Sequence, residues 1–340
     1  WDCWDLVLQR EISLNPEFIS VSEAFAIQER ISRSGNNSIC TRFCSSSFLD
    51  YHNQQTNQEF ETSYLAGSVD GIKYLLPISH SKDKTRNVVS SHAGSPYAGL
   101  CINSDSPDVI KRAYRACIEY LEKSALGFEL IEMRIPPVLV SSAVSSHEWA
   151  LWSLGFQASS IYLGRYFPKN YPISMNRNRR RRINKIDRSG FDIESHDLPS
   201  TTEYELLCKN RKLRHDVKPT HGHRDFETIH NNLPGMVETF SISHDNEICA
   251  VAIVFHDSTF STIQYLAGSE CSYSCGSQDL LVIRIVNEIE KKNKSLIFGT
   301  STEPSLDHTE INEGLDDYKS SFGAIPYSST RFRLNINSIS

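Results

Sequence analysis

Hydrophobic and polar positions along the 340-residue chain change period several times, and each change marks an element. In the second half, VETFSIS and EICAVAIVF alternate like strands joined by the turn His244-Asp245-Asn246. FSTIQYLAGS reads as a third strand after His256-Asp257-Ser258. From about Ser277 to Lys292 the period becomes helical, with Leu281, Ile285 and Ile289 on one face. The strand SLIFGTST, a helix from Asn312 and a last strand in TRFRLNI complete the series. In that last helix Leu315, Tyr318 and Phe322 form the apolar face, so Asp316, Asp317 and Lys319 are expected to point elsewhere. Gly323 stands where a helix end takes a left-handed residue, and Phe322-Gly323 is expected to pack the helix end against the sheet.

The first half repeats the order. SYLAGSV, a turn at Asp70-Gly71, IKYLLPIS and NVVSSHA precede a helix over Asp108–Lys123, with Ser106 as its cap and Pro107 at its first position. The strand ELIEMRI, a helix ending at Leu154-Gly155 and the strand SSIYLGRYF follow. A shift of 168 positions lays IEYLEKSALGFELIEMRIPP over VNEIEKKNKSLIFGTSTEPS without a gap, with Pro136 on Pro304 and Gly155 on Gly323. The shared order of elements predicts two similar α/β domains, 1–170 and 171–340.

Composition narrows the function classes. A net charge of −6 does not advertise a DNA partner. Nine cysteines, odd in number and scattered through apolar segments, suggest buried thiols in a reducing, cytoplasmic compartment rather than a disulfide framework. No apolar run approaches the roughly 20 residues of a membrane span. The chain begins at Trp1, so residues preceding it in a longer protein remain open. Cys271 and Cys275 with His221-Gly222-His223 make an incomplete zinc set at odd spacing, and no metal is expected. There is no G-x-S-x-G elbow.

Three strands, a helix, a strand, a helix and a closing strand resemble the GNAT N-acyltransferase fold. In tandem the order is similar to that of Fem-type peptidyltransferases and related acyltransferases of cell-envelope sugar pathways. The likeness rests on SPYAGL (95–100), RNRRRRINKIDRSGFDIE (177–194), KPTH (218–221), QYLAGSE (264–270), FGTSTE (298–303) and NEGLDDYKSSFGA (312–324). It implies two GNAT-like domains, each a mixed, mostly antiparallel sheet flanked by helices. It also implies acyl transfer to an amine, with acyl-CoA as co-substrate and a nucleotide- or lipid-linked sugar or peptide as acceptor. One departure concerns the loop that is glycine-rich in coenzyme-A-dependent GNAT enzymes. Here it reads CSYSCGSQ, leaving Gly276 and Ser277 as the expected contacts for the donor.

Direct attack by an amine needs a base, a held carbonyl and donors for the developing oxyanion. Glu303 ends an apolar strand, where open α/β sheets place ligands, and reads as a base or amine anchor or as a solvated loop carboxylate. Asn312 caps its helix or touches ligand, and Lys319 neutralises a phosphate or oxyanion or is an exposed lysine. His221 in KPTH is a second candidate base or a structural histidine. The matched motifs add Gln264, Tyr265 and Ser301 as substrate contacts. Six arginines and one lysine between Asn176 and Arg188 predict a basic helix, capped by Ser174 and ended by Ser189-Gly190. Its Arg179 and Arg182 either hold acceptor phosphates or belong to a plain basic surface. Tyr97 and Arg134 stand at strand ends where they are expected to line the interdomain groove that would bind the acceptor.

The donor is the point where the resemblance divides. Fem-type relatives use aminoacyl-tRNA, which needs a broad basic surface. With 41 acidic against 35 basic residues, seven of the latter in one helix, a thioester is favoured and tRNA disfavoured. A rival of another class is a binding protein whose duplicated scaffold has lost its chemistry.

Overall fold

The computed structural model describes residues 15–33, 39–53, 60–81, 87–186, 190–303 and 310–336. Trp1, Pro304, and the Asp187, Arg188 and Ser189 that end the basic run lie outside them. The chain divides into two compact units. The first takes the chain as far as Tyr162 and again from Ser328; the second takes Leu163–Ser305 and Glu310–Tyr327. The last strand is therefore split between them, unlike a contiguous division at residue 170. Among the described residues no helix is long and apolar enough to cross a membrane.

The first unit opens with β1 (Glu17–Ile19), α1 (Val21–Arg33) and α2 (Ser46–Asn53), which the periodicity did not announce. The hairpin β2 (Phe60–Val69) and β3 (Ile72–Ser81) follows, its turn holding Asp70 and Gly71 at positive φ. Then come β4 (Val88–Ser90), β5 (Cys101–Ile102), α3 (Pro107–Lys123), β6 (Leu130–Arg134), α4 (Val144–Ser153) and the first part of β7 (Gln157–Phe167). The sheet order is β1-β2-β3-β4-β6, antiparallel except for the parallel pair β4 and β6. Ile110, Tyr114, Cys117 and Leu121 turn one face of α3 into a core with Leu65, Leu76 and Ile131. Pro107 starts α3 as expected, but the Ser106 side chain makes no capping bond. Proline's fixed φ at the first position is itself a start signal.

The second unit begins with the last part of β7 and α5 (Arg177–Ile186). Asn176, not Ser174, caps α5: its Oδ1 accepts the Arg179 N–H at 2.8 Å. β8 (Asp192–His196), α6 (Thr201–His215) and α7 (His223–Asn232) lead to β9 (Val237–His244), β10 (Glu247–His256) and β11 (Phe260–Gly268). The short α8 (Glu270–Cys275), then α9 (Ser277–Lys291), β12 (Ser295–Thr300), α10 (Glu313–Ser320) and β13 (Ile325–Asn335) complete the chain. The order β8-β9-β10-β11-β12 is antiparallel except for the parallel pair β11 and β12. Leu281, Ile285 and Ile289 of α9 are fully buried against Ala250, Ala252 and Val254 of β10, in the helical register the sequence shows.

Both units thus carry three antiparallel strands, a helix and a fourth strand parallel to the third. The closing strands are exchanged. In the first unit β6 pairs antiparallel with Arg331 to Asn335 of β13; in the second, β12 pairs with Gly164 to Phe167 of β7.

Candidate functional site

Leu296, Ile297 and Phe298 bury β12 in the core of the second unit, and the chain leaves the sheet at Ser301. There two backbone segments run side by side: Thr302 bridges Ile311, the Asn312 N–H donates to Ser301 O at 2.8 Å, and the Glu303 N–H donates to Glu310 O at 2.8 Å. This pairing sets Glu303 beside the start of α10. Asn312 then serves both. Its Oδ1 accepts the Leu315 N–H at 2.8 Å as a cap, and its Nδ2 donates to Glu303 Oε1 at 2.7 Å. Carboxylate, capping amide and helix N-terminus share one strand mouth, with Glu313 and Asp316 in the first turn, an arrangement suited to an amine or another hydrogen-bonding ligand group.

Lys319 departs from expectation. It is only 4% exposed, while Leu315 of the supposed apolar face is 39% exposed. Its ammonium donates to Gly299 O at 2.9 Å, Thr300 O at 2.5 Å and Ser301 Oγ at 3.4 Å. The lysine therefore fixes the end of β12 from beneath. Burial lowers its pKa to about 8, against the opposing pull of Asp316. Asp316 accepts from Arg165 Nε at 2.9 Å and Nη2 at 2.5 Å, and that contact keeps the carboxyl below its usual range. Periodicity misplaced Lys319 because it ranks residues by polarity. It has no means of knowing that the carbonyls at a strand end supply an ammonium with acceptors.

The Phe322-Gly323 pair has a sharper role than sealing a helix end. Gly323 sits at φ +90°, and a Cβ there would lie 2.8 Å from both the backbone N and O of Ser174. The segment leading into α5 thus rests against the end of α10, and the Asn176 N–H donates to Ser321 O at 3.1 Å.

Arg179 faces inward, and Arg182, still partly exposed, reaches the same carboxylate. Both meet the buried carboxylate of Asp279, and Arg179 also donates to Ser321 Oγ at 3.0 Å and stacks on Tyr318 and Phe322. Arg182 donates to the carbonyls of Tyr273 and Ser274 and covers Gly276, whose own Cβ would run into it. Ser277 is wholly buried. Gly276 and Ser277 therefore offer no open pyrophosphate cradle. The exposed cations of α5 are Arg177, Arg180, Arg181 and Lys185.

His221 is buried among Phe226, Phe255 and Tyr265, with Nδ1 at 2.8 Å from Tyr265 Oη. Gln264, beside Tyr265 on β11, is partly exposed. In the first unit Tyr97 is buried edge-on to Phe43, and Arg134 stacks on Tyr162, its guanidinium carbon 5.0 Å from the ring centre. The structure accordingly joins Glu303, Asn312, Ser301 and Lys319, while His221 with Tyr265 and Arg179 with Arg182 form separate clusters. Sequence reasoning missed Arg165 and Asp279. Arg165 sits in an alternating strand and Asp279 in the first turn of α9, and opposite charges far apart in sequence carry no local signal of pairing. Among the described residues no group of three or more His, Cys, Asp or Glu is placed to hold a metal ion.

In sequence, the chain matches no family description and no curated protein. In structure it is similar to FemX over 95% of this chain and 98% of that one, with a TM-score of 0.67 and 12% identity. This is a Fem-like GNAT fold. The likeness extends to the L-PGS of Bacillus licheniformis, with a TM-score of 0.54 and 14% identity over 96% of this chain and 95% of that one. It extends also to a tandem GNAT protein from the clavulanic acid pathway, with a TM-score of 0.51 and 8% identity over 94% and 98%. At these identities the likeness is one of fold. In the Fem-like fold of this chain, the mouth of β12 is where the carboxylate and the α10 N-terminus meet.

Proposed function

We propose that the protein is an N-acyltransferase, moving an acyl group from an activated donor, a thioester, to an amino group of a cell-envelope or polysaccharide precursor. The observation that carries the reading is the Glu303–Asn312 pair over the buried Lys319. An amine attacking a carbonyl must lose a proton, and Glu303 is held in one orientation to accept it or to anchor the ammonium beforehand. The α10 N-terminus lies beside it to favour the oxygen on which charge develops. Lys319 keeps Gly299, Thr300 and Ser301 in place beneath, so the strand end does not move as charge builds. Arg180 and Arg181, exposed on α5, are the cations suited to acceptor phosphates.

The covered Gly276 favours a second reading, in which the donor is an aminoacyl ester. Two structures of similar fold, from Agrobacterium fabrum and Bacillus licheniformis, carry names of the lysylphosphatidylglycerol synthetase type. The test is to incubate purified protein with amino-sugar nucleotides and either acyl-coenzyme A or charged tRNA, following thiol release and acylated product. Thiol release that needs the amine and disappears in Glu303→Gln supports the first reading. Product from charged tRNA alone replaces it with the second. No product from either donor favours a binding protein on a duplicated scaffold.

A further inference from the structure

The short helix α8 carries two thiols to which the acyl-transfer reading gives no task. Cys271 and Cys275 stand four residues apart, so they share one face and lie one turn above each other. Both are free, Cys271 is exposed and Cys275 half-buried, and the two thiols are near enough for Cys275 to disfavour ionisation of Cys271. Cysteine is among the residues most often fully buried, so an exposed thiol with a second one in reach is an unusual arrangement.

We propose that Cys271 and Cys275 form a reversible disulfide site, closed by exchange with a small-molecule disulfide of the glutathione type. The Cys271 thiolate attacks one sulfur of that disulfide. The small S–S bond breaks, one small thiolate leaves and takes up a proton, and Cys271 is left as a mixed disulfide. The Cys275 thiolate then attacks Cys271 Sγ and expels the second small thiolate, which takes up the other proton. Two protein thiols are oxidised by two electrons, and one small disulfide is reduced to two thiols.

The helix sets the character of the bond. Side chains one turn apart have Cβ atoms about 5–6 Å apart, whereas a disulfide needs about 3.5–4.5 Å, so closure tightens the turn. α8 is six residues long and ends at Gly276 with φ +89°, so few hydrogen bonds resist the tightening. A strained, exposed disulfide is easily reduced, which is the behaviour of a redox-responsive site rather than a structural bridge. The neighbouring Cys275 and Glu247 raise the pKa of Cys271, so exchange should quicken as pH rises. Nor is α8 isolated. Arg182 holds its Tyr273 and Ser274 carbonyls, Asn210 donates to Tyr273 Oη at 2.7 Å, and Arg214 lies 4.2 Å over the Tyr273 ring centre. Closure therefore pulls on the arginine that covers Gly276.

The experiment treats the purified full chain with oxidised glutathione and measures intact mass and peptides. The expected wild-type product has lost about 2 Da for its two thiol hydrogens, joins Cys271 to Cys275, retains no glutathione and reverts with dithiothreitol. Cys275→Ser should instead accumulate a glutathione adduct on Cys271, and Cys271→Ser should form neither product on α8. Far-UV circular dichroism of both variants establishes that they are folded. A wild type that keeps glutathione on Cys271, or reacts nowhere on α8, overturns the proposal. So does a Cys275→Ser protein that closes a disulfide from Cys271 to another cysteine.

Discussion

Asn312 Nδ2 donates to Glu303 Oε1 over 2.7 Å while the Oδ1 of the same amide caps α10, so the carboxylate's position is tied to the helix start. Glu303→Gln should lower turnover at saturating substrate by at least about tenfold, or about 1.4 kcal/mol of barrier. Thermal unfolding should shift little, because surface changes cost about 0.5 kcal/mol or less. Asn312→Ala should lose about 1 kcal/mol of cap and reduce turnover as well. Steady-state rates beside melting curves separate the two effects. A wild-type rate in Glu303→Gln would remove the carboxylate from the chemistry.

Lys319 gives a stability prediction with a sign. Its folded pKa, about 8, is below the ordinary 10.5, so above pH 8 the unfolded chain holds a proton that the folded chain has released. Stability contributed by this group is fullest above pH 10.5 and is lost as pH falls through 8, a span on the order of 3 kcal/mol. Lys319→Met should abolish that slope. The check is the difference in melting temperature between wild type and variant from neutral to strongly alkaline pH; a parallel pair of curves contradicts it.

The arginines of α5 should divide into two classes. Arg179→Ala leaves the buried Asp279 carboxylate with Arg182 Nε at 3.5 Å as its remaining cation, and should destabilise by less than the roughly 3–5 kcal/mol of a fully unpaired buried charge but by clearly more than a surface change. Arg180→Ala combined with Arg181→Ala should leave unfolding nearly unchanged, raise the acceptor's Michaelis constant and flatten its salt dependence. An acceptor constant indifferent to salt in wild type would return these two residues to a plain basic surface.

Acid should find the first unit through His147. The imidazole is wholly buried, with Nδ1 3.0 Å from Tyr114 Oη, and burial pushes its pKa down to about 3. The unfolded chain takes up a proton near pH 6.5 that the folded chain refuses, so stability drains as pH falls from 6.5 toward 3. His147→Gln should shrink that acid slope in urea unfolding measured across this range.

Much of the fold was legible because it is periodic. The strands β9 to β12 and the helix α9 follow from alternation and from Leu281, Ile285 and Ile289 alone. The elements that escaped notice, such as α6, lack a clean apolar stripe, though its Ser200–Glu203 capping box stood in the sequence. The local geometry of the candidate site was half legible. Glu303 and Asn312 were visible from their place at a strand end and a helix start. Lys319, Arg179 and Arg182 were read as facing ligand or solvent, whereas each is held by acceptors distant in sequence. Gly323 was read as a helix terminator, yet the approach of Ser174 is an equal reason for glycine.

The exchanged closing strands carry a consequence for biosynthesis. β6 emerges from the ribosome about two hundred residues before Arg331 to Asn335, its pairing partner, exist. The first unit is therefore translated early and completed last. During that interval its fourth strand presents an unpaired edge, open to nascent chains on the same message. A chain truncated near residue 325 should accumulate as aggregate, and a separately added peptide of the β13 sequence should rescue its solubility.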